Sequence, residues 1–290
     1  MKFSLHSLLL IVLLMGVHTF LFSQEESIET LNGKKITIVR PSYRYIGEKD
    51  FNESMNKQPN FGMYKDNYFI TGIPLAGKIN KHTADAKFQI SIKQRLMKNI
   101  LPYNTYLMLT YTQKSFWNIY EKSSPFIDLN YNPGIAIIRP ILHDNKFKGI
   151  ILFSLEHESN GKDSTASRDW NFVTLSGSVF FNEQITIQPK LWIGLPGKEN
   201  KDLFDYRGYG SLTVAYRSRN DHMGFSATLN PSAKFLNTQF EVSFRASKKS
   251  NQFLFIQWFN GYGESLMDYN QHVSMFRVGI CLKPFMKSVF

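Results

Sequence analysis

From about residue 68 onward, apolar and polar residues alternate with period two in stretches of about ten residues, the signature of strands with two unlike faces. The stretch TQFEVSFRAS, residues 238–247, is the clearest case: Phe240, Val242 and Phe244 share one face, while Gln239, Glu241, Ser243 and Arg245 share the other. Comparable frames run over residues 68–74, 86–97, 105–120, 132–142, 146–160, 167–181, 185–194, 208–217, 222–230, 251–262 and 274–282. Turn-forming runs separate them, such as HDNK at His143, FNEQ at Phe181, RSRND at Arg217 and NPS at Asn230. Each connection is short enough for a hairpin, so the pattern predicts an all-β fold, an antiparallel up-and-down sheet of about twelve strands.

Such a sheet either buries its apolar face inside a sandwich or turns it outward against lipid around a polar lumen. Uniform strand length, charged polar faces, aromatics at strand ends (Tyr120, Trp192, Tyr209, Phe259) and a terminal Phe290 predict the second, a transmembrane β-barrel. The start of the chain agrees with export. It carries one positive charge, Lys2, an apolar run from Leu8 to Val17 and the small Ser23, which reads as a signal peptide over residues 1–23. That run is too short for a membrane anchor, and no later apolar run is long enough for a spanning helix. Residues 24–65 are polar without sustained alternation and are expected to form an N-terminal extension; residues 66–290 are the expected barrel. A single cysteine, Cys281, excludes an intrachain disulfide. The formal net charge of +11 comes from scattered lysines and arginines that form no stripe, which argues against nucleic acid and leaves two readings equally open, anionic headgroups or surface phosphates as partners and simple solubility.

One stretch breaks the pattern, HESNGKDSTASRDWN at residues 157–171. In the strand leading into it, Ile151, Phe153, Leu155, His157 and Ser159 fall on the apolar, lipid-facing side, and Glu156 and Glu158 on the lumenal side. The next strand puts Asn171 in the same outer frame as Val173 and Leu175, so a hairpin can bring Asn171 beside His157. A polar group facing lipid is costly, so three of them in a row call for a reason. A serine needs a base to take its proton, a histidine can serve near neutrality, and an amide can fix the imidazole's direction without a buried charge. These residue types make a nucleophile, a general base and an orienting amide. His82, His143, His222 and His272 fall in expected turns and show no metal-ligand spacing.

HESNGKDSTASRDWN, together with YTQKSFW, SSPFIDLNYNP and GYGESLMDYN, resembles the bacterial outer-membrane phospholipase A family, over most of the chain from about Tyr64. The resemblance implies a twelve-stranded outer-membrane barrel that hydrolyses glycerophospholipid acyl esters (A1/A2, lysophospholipase-type) with calcium (Ca2+), as a calcium-promoted homodimer. It implies Ser159 as nucleophile, His157 as general base and Asn171 as the residue orienting the histidine. The oxyanion would be stabilised around Ser159 and Gly161. Ser167 and the Lys162 carbonyl match calcium positions of one subunit, the Ser123 carbonyl matches the position given by its partner, and Gln113 matches a dimer-interface residue. Pro284 removes a ladder donor, so the last strand is expected to be irregular near it. Two other functions remain open to test. A non-enzymatic channel or structural barrel would carry its catalytic-looking residues in the lumen, whereas here they share a frame with Phe153 and Leu155, and a soluble exported esterase would carry a GxSxG elbow, which this chain lacks.

Overall fold

The computed structural model describes residues 28–31, 34–37, 48–98, 104–144, 146–245 and 251–284. The expected signal peptide and the terminal Phe290 lie outside the described residues. The chain divides into two units, Met1–Pro41 and Ser42–Phe290. In the first, Ile28–Leu31 and Lys34–Thr37 form an antiparallel hairpin.

In the second unit the alternating segments become a closed antiparallel barrel of twelve strands. They are β1 (Asn67–Pro74), β2 (Asp85–Lys98), β3 (Tyr106–Trp117), β4 (Phe126–His143), β5 (Lys146–Ser159) and β6 (Asp169–Phe180), followed by β7 (Ile185–Pro196), β8 (Gly210–Arg217), β9 (Met223–Pro231), β10 (Leu236–Arg245), β11 (Gln252–Gly261) and β12 (Val273–Leu282). Each pairs with its sequence neighbours, and β12 returns to pair with β1, which closes the ring and leaves no open edge. A short segment, Phe61–Met63, also pairs with β2, so part of the polar N-terminal stretch is built into this unit.

The two faces separate as the alternation predicts. Phe153, Leu155, Leu175, Ile193 and Ile280 are exposed on the outer wall, Ile193 by 76%. Apolar exposure on this scale suits a wall solvated by lipid. Inside, Arg277 is 1% exposed and is bound on both sides, to Asp85 (2.8 and 2.7 Å) and Glu264 (2.6 and 3.2 Å). Lys87 joins the same group through Glu264 (3.0 Å) and Gln257 (2.9 Å). Every charge there has a partner of opposite sign, which is what makes such burial tolerable.

Three sequence expectations are corrected. Trp192 and Phe259, expected as interfacial aromatics, turn into the lumen: Phe259 is buried, and Trp192 packs beside Trp170 and Phe172 while its indole donates to the Gly208 carbonyl. Their ladder partners, Thr174 for Trp192 and Met275 for Phe259, are buried on the same lumenal face. Strand β4 begins at Phe126, six residues before the expected start, and runs straight through Pro133. The last ladder ends at Leu282, ahead of Pro284, so the proline disturbs no pairing among the described residues.

The two ends of the barrel are closed differently. At one, helix α1 (Glu48–Lys57) lays Phe51 and Met55, four residues apart on one face, into a cluster with Tyr106, Met108, Ile138 and Phe147. The rings of Phe51 and Phe147 stack at 4.3 Å, and Arg95 donates to the Met55 and Gln58 carbonyls at the helix end. At the other, the β5–β6, β7–β8 and β11–β12 loops converge, with α2 (Leu203–Arg207) burying Leu203 against Trp170, Leu266 and Tyr269.

Candidate active site

The conspicuous residues sit on the outer wall at this second end. Register pairs His157 with Asn171 across β5 and β6, and His157 Nδ1 lies 2.9 Å from Asn171 Oδ1. An amide oxygen only accepts, so Nδ1 carries the proton and Nε2 is left with the lone pair of a base. Ser159 follows two positions along the same face, about 6.6 Å further by strand rise. Among the described residues no hydrogen bond joins Ser159 to the imidazole. Loose apo geometry of this kind is common in catalytic pairs before substrate arrives.

The opposite face of the same strands holds them still. Glu158 is buried and accepts from the Trp170 indole (2.8 Å) and from Arg207 Nη1 (2.5 Å). Trp170 stacks on Phe172 at 3.6 Å between ring centres. On the other flank, Pro133 stands opposite His157, between the pairs Tyr131–Ser159 and Gly134–Glu156, and has no N–H to give. The neighbouring Asn132 side chain donates to the His157 carbonyl instead, at 3.0 Å. Sequence reasoning missed Asn132; its one signal was an Asn–Pro pair in the neighbouring strand.

The loop after Ser159 starts at Gly161, whose φ of +67° favours glycine and whose Cβ, if present, would meet the Tyr131 ring at 2.9 Å. Among the described interactions its N–H has no acceptor. Lys162 is exposed and sends Nζ to the Ile127 carbonyl (3.0 Å), leaving its own carbonyl uncommitted, and the Ser167 hydroxyl is likewise uncommitted. Uncommitted hard oxygens suit calcium, so these donors fit the ion in kind. They are few. No group of three or more His, Cys, Asp or Glu that could hold a metal exists among the described residues, and Ser123 lies in the separate β3–β4 loop with no described contact to Lys162 or Ser167. Gln113 is on the outer face of β3, between Tyr111 (3.0 Å) and Ser115 (3.1 Å) in a short polar ladder.

Asp128 turns inward, 1% exposed, and accepts from the Met267 N–H at 2.9 Å. In the β11–β12 loop, burial first and then the nearby Asp128 charge raise the Asp268 carboxyl above its ordinary range.

A serine, a histidine and an asparagine on the outer wall of a closed membrane barrel, in the same frame as Phe153 and Leu155, fit an enzyme of the bilayer surface. The family model for phospholipase A1 matches residues 47–282, and the chain belongs to the bacterial outer-membrane phospholipase A1 family, hydrolases of the outer membrane. It is 31% identical over 210 residues to phospholipase A1 of Escherichia coli, covering 70% of this chain and 71% of that one. It is 29% identical over 208 residues to a putative phospholipase A1 of Neisseria meningitidis, covering 68% of this chain and 54% of the relative, so the match spans about half of that protein's length. Among solved structures, the Salmonella typhi outer membrane phospholipase dimer with bound calcium superposes with a TM-score of 0.71 at 25% identity, covering 84% of this chain and 100% of that one. An active-site asparagine-to-alanine mutant of the Escherichia coli enzyme gives 0.68 at 27% identity, covering 78% and 93%.

Proposed function

We propose that this protein is a calcium-dependent outer-membrane phospholipase that hydrolyses acyl esters of glycerophospholipids at the lipid-facing wall of its barrel. The observation that carries the reading is the 2.9 Å contact of His157 Nδ1 with Asn171 Oδ1 on the outer face that also bears Ser159. Ser159 Oγ attacks the ester carbonyl while its proton passes to His157 Nε2; the alcohol leaves with that proton, and water, activated by the same nitrogen, releases the fatty acid. Asn171 holds the ring in the tautomer that leaves Nε2 free, a role supported by the relative whose altered asparagine is an active-site residue. The free Gly161 N–H, close after Ser159 in a tight turn, donates to the oxyanion.

Ser167 Oγ and the Lys162 carbonyl would hold calcium from one subunit and the Ser123 carbonyl from its partner, with Gln113 at the interface between them. When bound, the ion supplies positive charge to the developing oxyanion. Calcium takes six to eight oxygens, so one chain's few donors leave the site incomplete, which makes calcium and dimerisation promote each other. The solved Salmonella typhi dimer with bound calcium supports this reading. The test is fatty acid release from mixed micelles by the purified protein, with calcium and with chelator, beside covalent labelling by a serine-directed inhibitor. Release that requires calcium and a label on Ser159 are expected. A label on another serine would overturn the assignment.

A further inference from the structure

The β5–β6 loop carries the oxyanion donor Gly161 and the calcium donors Lys162 and Ser167, yet none of those donor atoms holds the loop in shape. A different residue does so from inside. Asn160, at the end of β5, points to the lumen and is 3% exposed. Its Oδ1 accepts from the Lys162 N–H (3.3 Å) and the Arg168 N–H (3.0 Å). Its Nδ2 donates to the Ala166 carbonyl (2.9 Å) and to Met267 Sδ (3.8 Å), and its own backbone N–H donates to the Arg168 carbonyl (3.0 Å). Both lone pairs and both protons of the amide are used, which no other side chain of this size can reproduce.

We propose that Asn160 is a positioning residue, which sets the oxyanion donor Gly161 and the calcium donors Lys162 and Ser167 at fixed distances from Ser159; this rests on the reading of the site given above. Its bonds reach positions 162, 166 and 168, so they grip the loop at both ends, directly beside those donors. The β11–β12 loop is its platform. Asn130 Oδ1 accepts from the Leu266 N–H (3.1 Å) and Asp128 Oδ2 from the Met267 N–H (2.9 Å), so β4 fixes Met267, and Met267 meets the Asn160 amide. This gives a role to the GYGESLMDYN stretch, which supplies nothing to the outer face.

Alanine at 160 leaves the Lys162 N–H, the Arg168 N–H and the Ala166 carbonyl without these partners. Aspartate keeps the acceptor but sets an oxygen against the Ala166 carbonyl. The experiment compares full-length wild type, Asn160→Ala, Asn160→Asp and Ser159→Ala in detergent, by hydrogen–deuterium exchange in chelator, direct calcium binding by calorimetry, and turnover. In chelator, residues 161–168 of Asn160→Ala exchange faster while the barrel strands keep their protection. Calcium binds about tenfold more weakly, and kcat falls about a hundredfold with KM for micellar phospholipid unchanged, the scale of a misplacement of about 1 Å. Asn160→Asp falls between Asn160→Ala and wild type. Wild-type calcium binding, kcat and loop exchange in Asn160→Ala would overturn the role of Asn160, and so would loss of strand protection in both variants, which would make it a folding residue. Turnover surviving in Ser159→Ala would instead refute the reading of the site, and the loop-exchange result would still decide what Asn160 does.

Discussion

The two ends of this barrel face the same physical problem, a ring of strands whose lumen must be closed, and solve it with different forces. At the α1 end, Phe51, Met55 and Phe147 close it by apolar contact, which tolerates small displacements because it has little direction. At the Ser159 end, Glu158, Asn160, Arg207 and Glu264 add to the apolar Leu203 cluster a set of hydrogen bonds and ion pairs, which have direction and lose most of their value when bent. The first arrangement stabilises the fold. The second also ties down the Ser159 loop, which is what the proposed chemistry requires.

The sharpest way to separate the ends is to remove the chemistry and leave both closures intact. Ser159→Ala is expected to lower turnover by more than about a thousandfold, since losing the nucleophile removes the covalent route. Heat denaturation followed by circular dichroism should not move.

Glu264→Gln attacks the polar closure. It leaves Arg277 and Lys87 short of a buried counter-charge, and a loss on the order of 3–5 kcal/mol of stability is expected. Unchanged unfolding would show that the network is not a support of this end. Phe51→Ala attacks the apolar closure, at a cost of about 3 kcal/mol for a partly relaxing cavity. Turnover of the folded fraction should stay at wild type, and a parallel fall in kcat would mean the two ends are coupled through the strands.

Smaller effects probe within the catalytic end. Asn171→Ala should reduce kcat, and by less than His157→Ala, because the amide orients the base and transfers no proton itself. Equal losses would give Asn171 another role. The pH dependence reports on the lumenal support. Burial alone would raise the Glu264 carboxyl, but Arg277 and Lys87 overcome it and hold the carboxyl at about 2, against 4.5 for an ordinary glutamate. A depressed folded-state value means its contribution is complete above pH 4.5 and is lost as pH falls toward 2. Limited proteolysis of the β11–β12 loop should rise in that window, and a loop that opens only below it would remove Glu264 as the lock.

Alternation along the chain is enough to set the strands, their faces and therefore the side of the wall on which His157 and Ser159 stand, because a period of two leaves one choice once the apolar face meets lipid. It also put Asn171 in the right frame. Which residue Asn171 would meet depended on the register of β5 against β6, and only pairing decided that it is His157. Helix α1 was illegible because EKDFNESMNK offers just Phe51 and Met55 as an apolar face, and their worth appears only against Phe147 and Tyr106 from distant strands. The same holds for Arg277 with Asp85, 192 positions apart, for Asn132 covering the gap left by Pro133, and for Asn160 meeting Met267. Alternation is a local property that a chain carries along its length. Closure of a ring is not, and the Ser159 loop meets Met267 through Asn160 only once the β11–β12 loop has been carried round to β4 and β5.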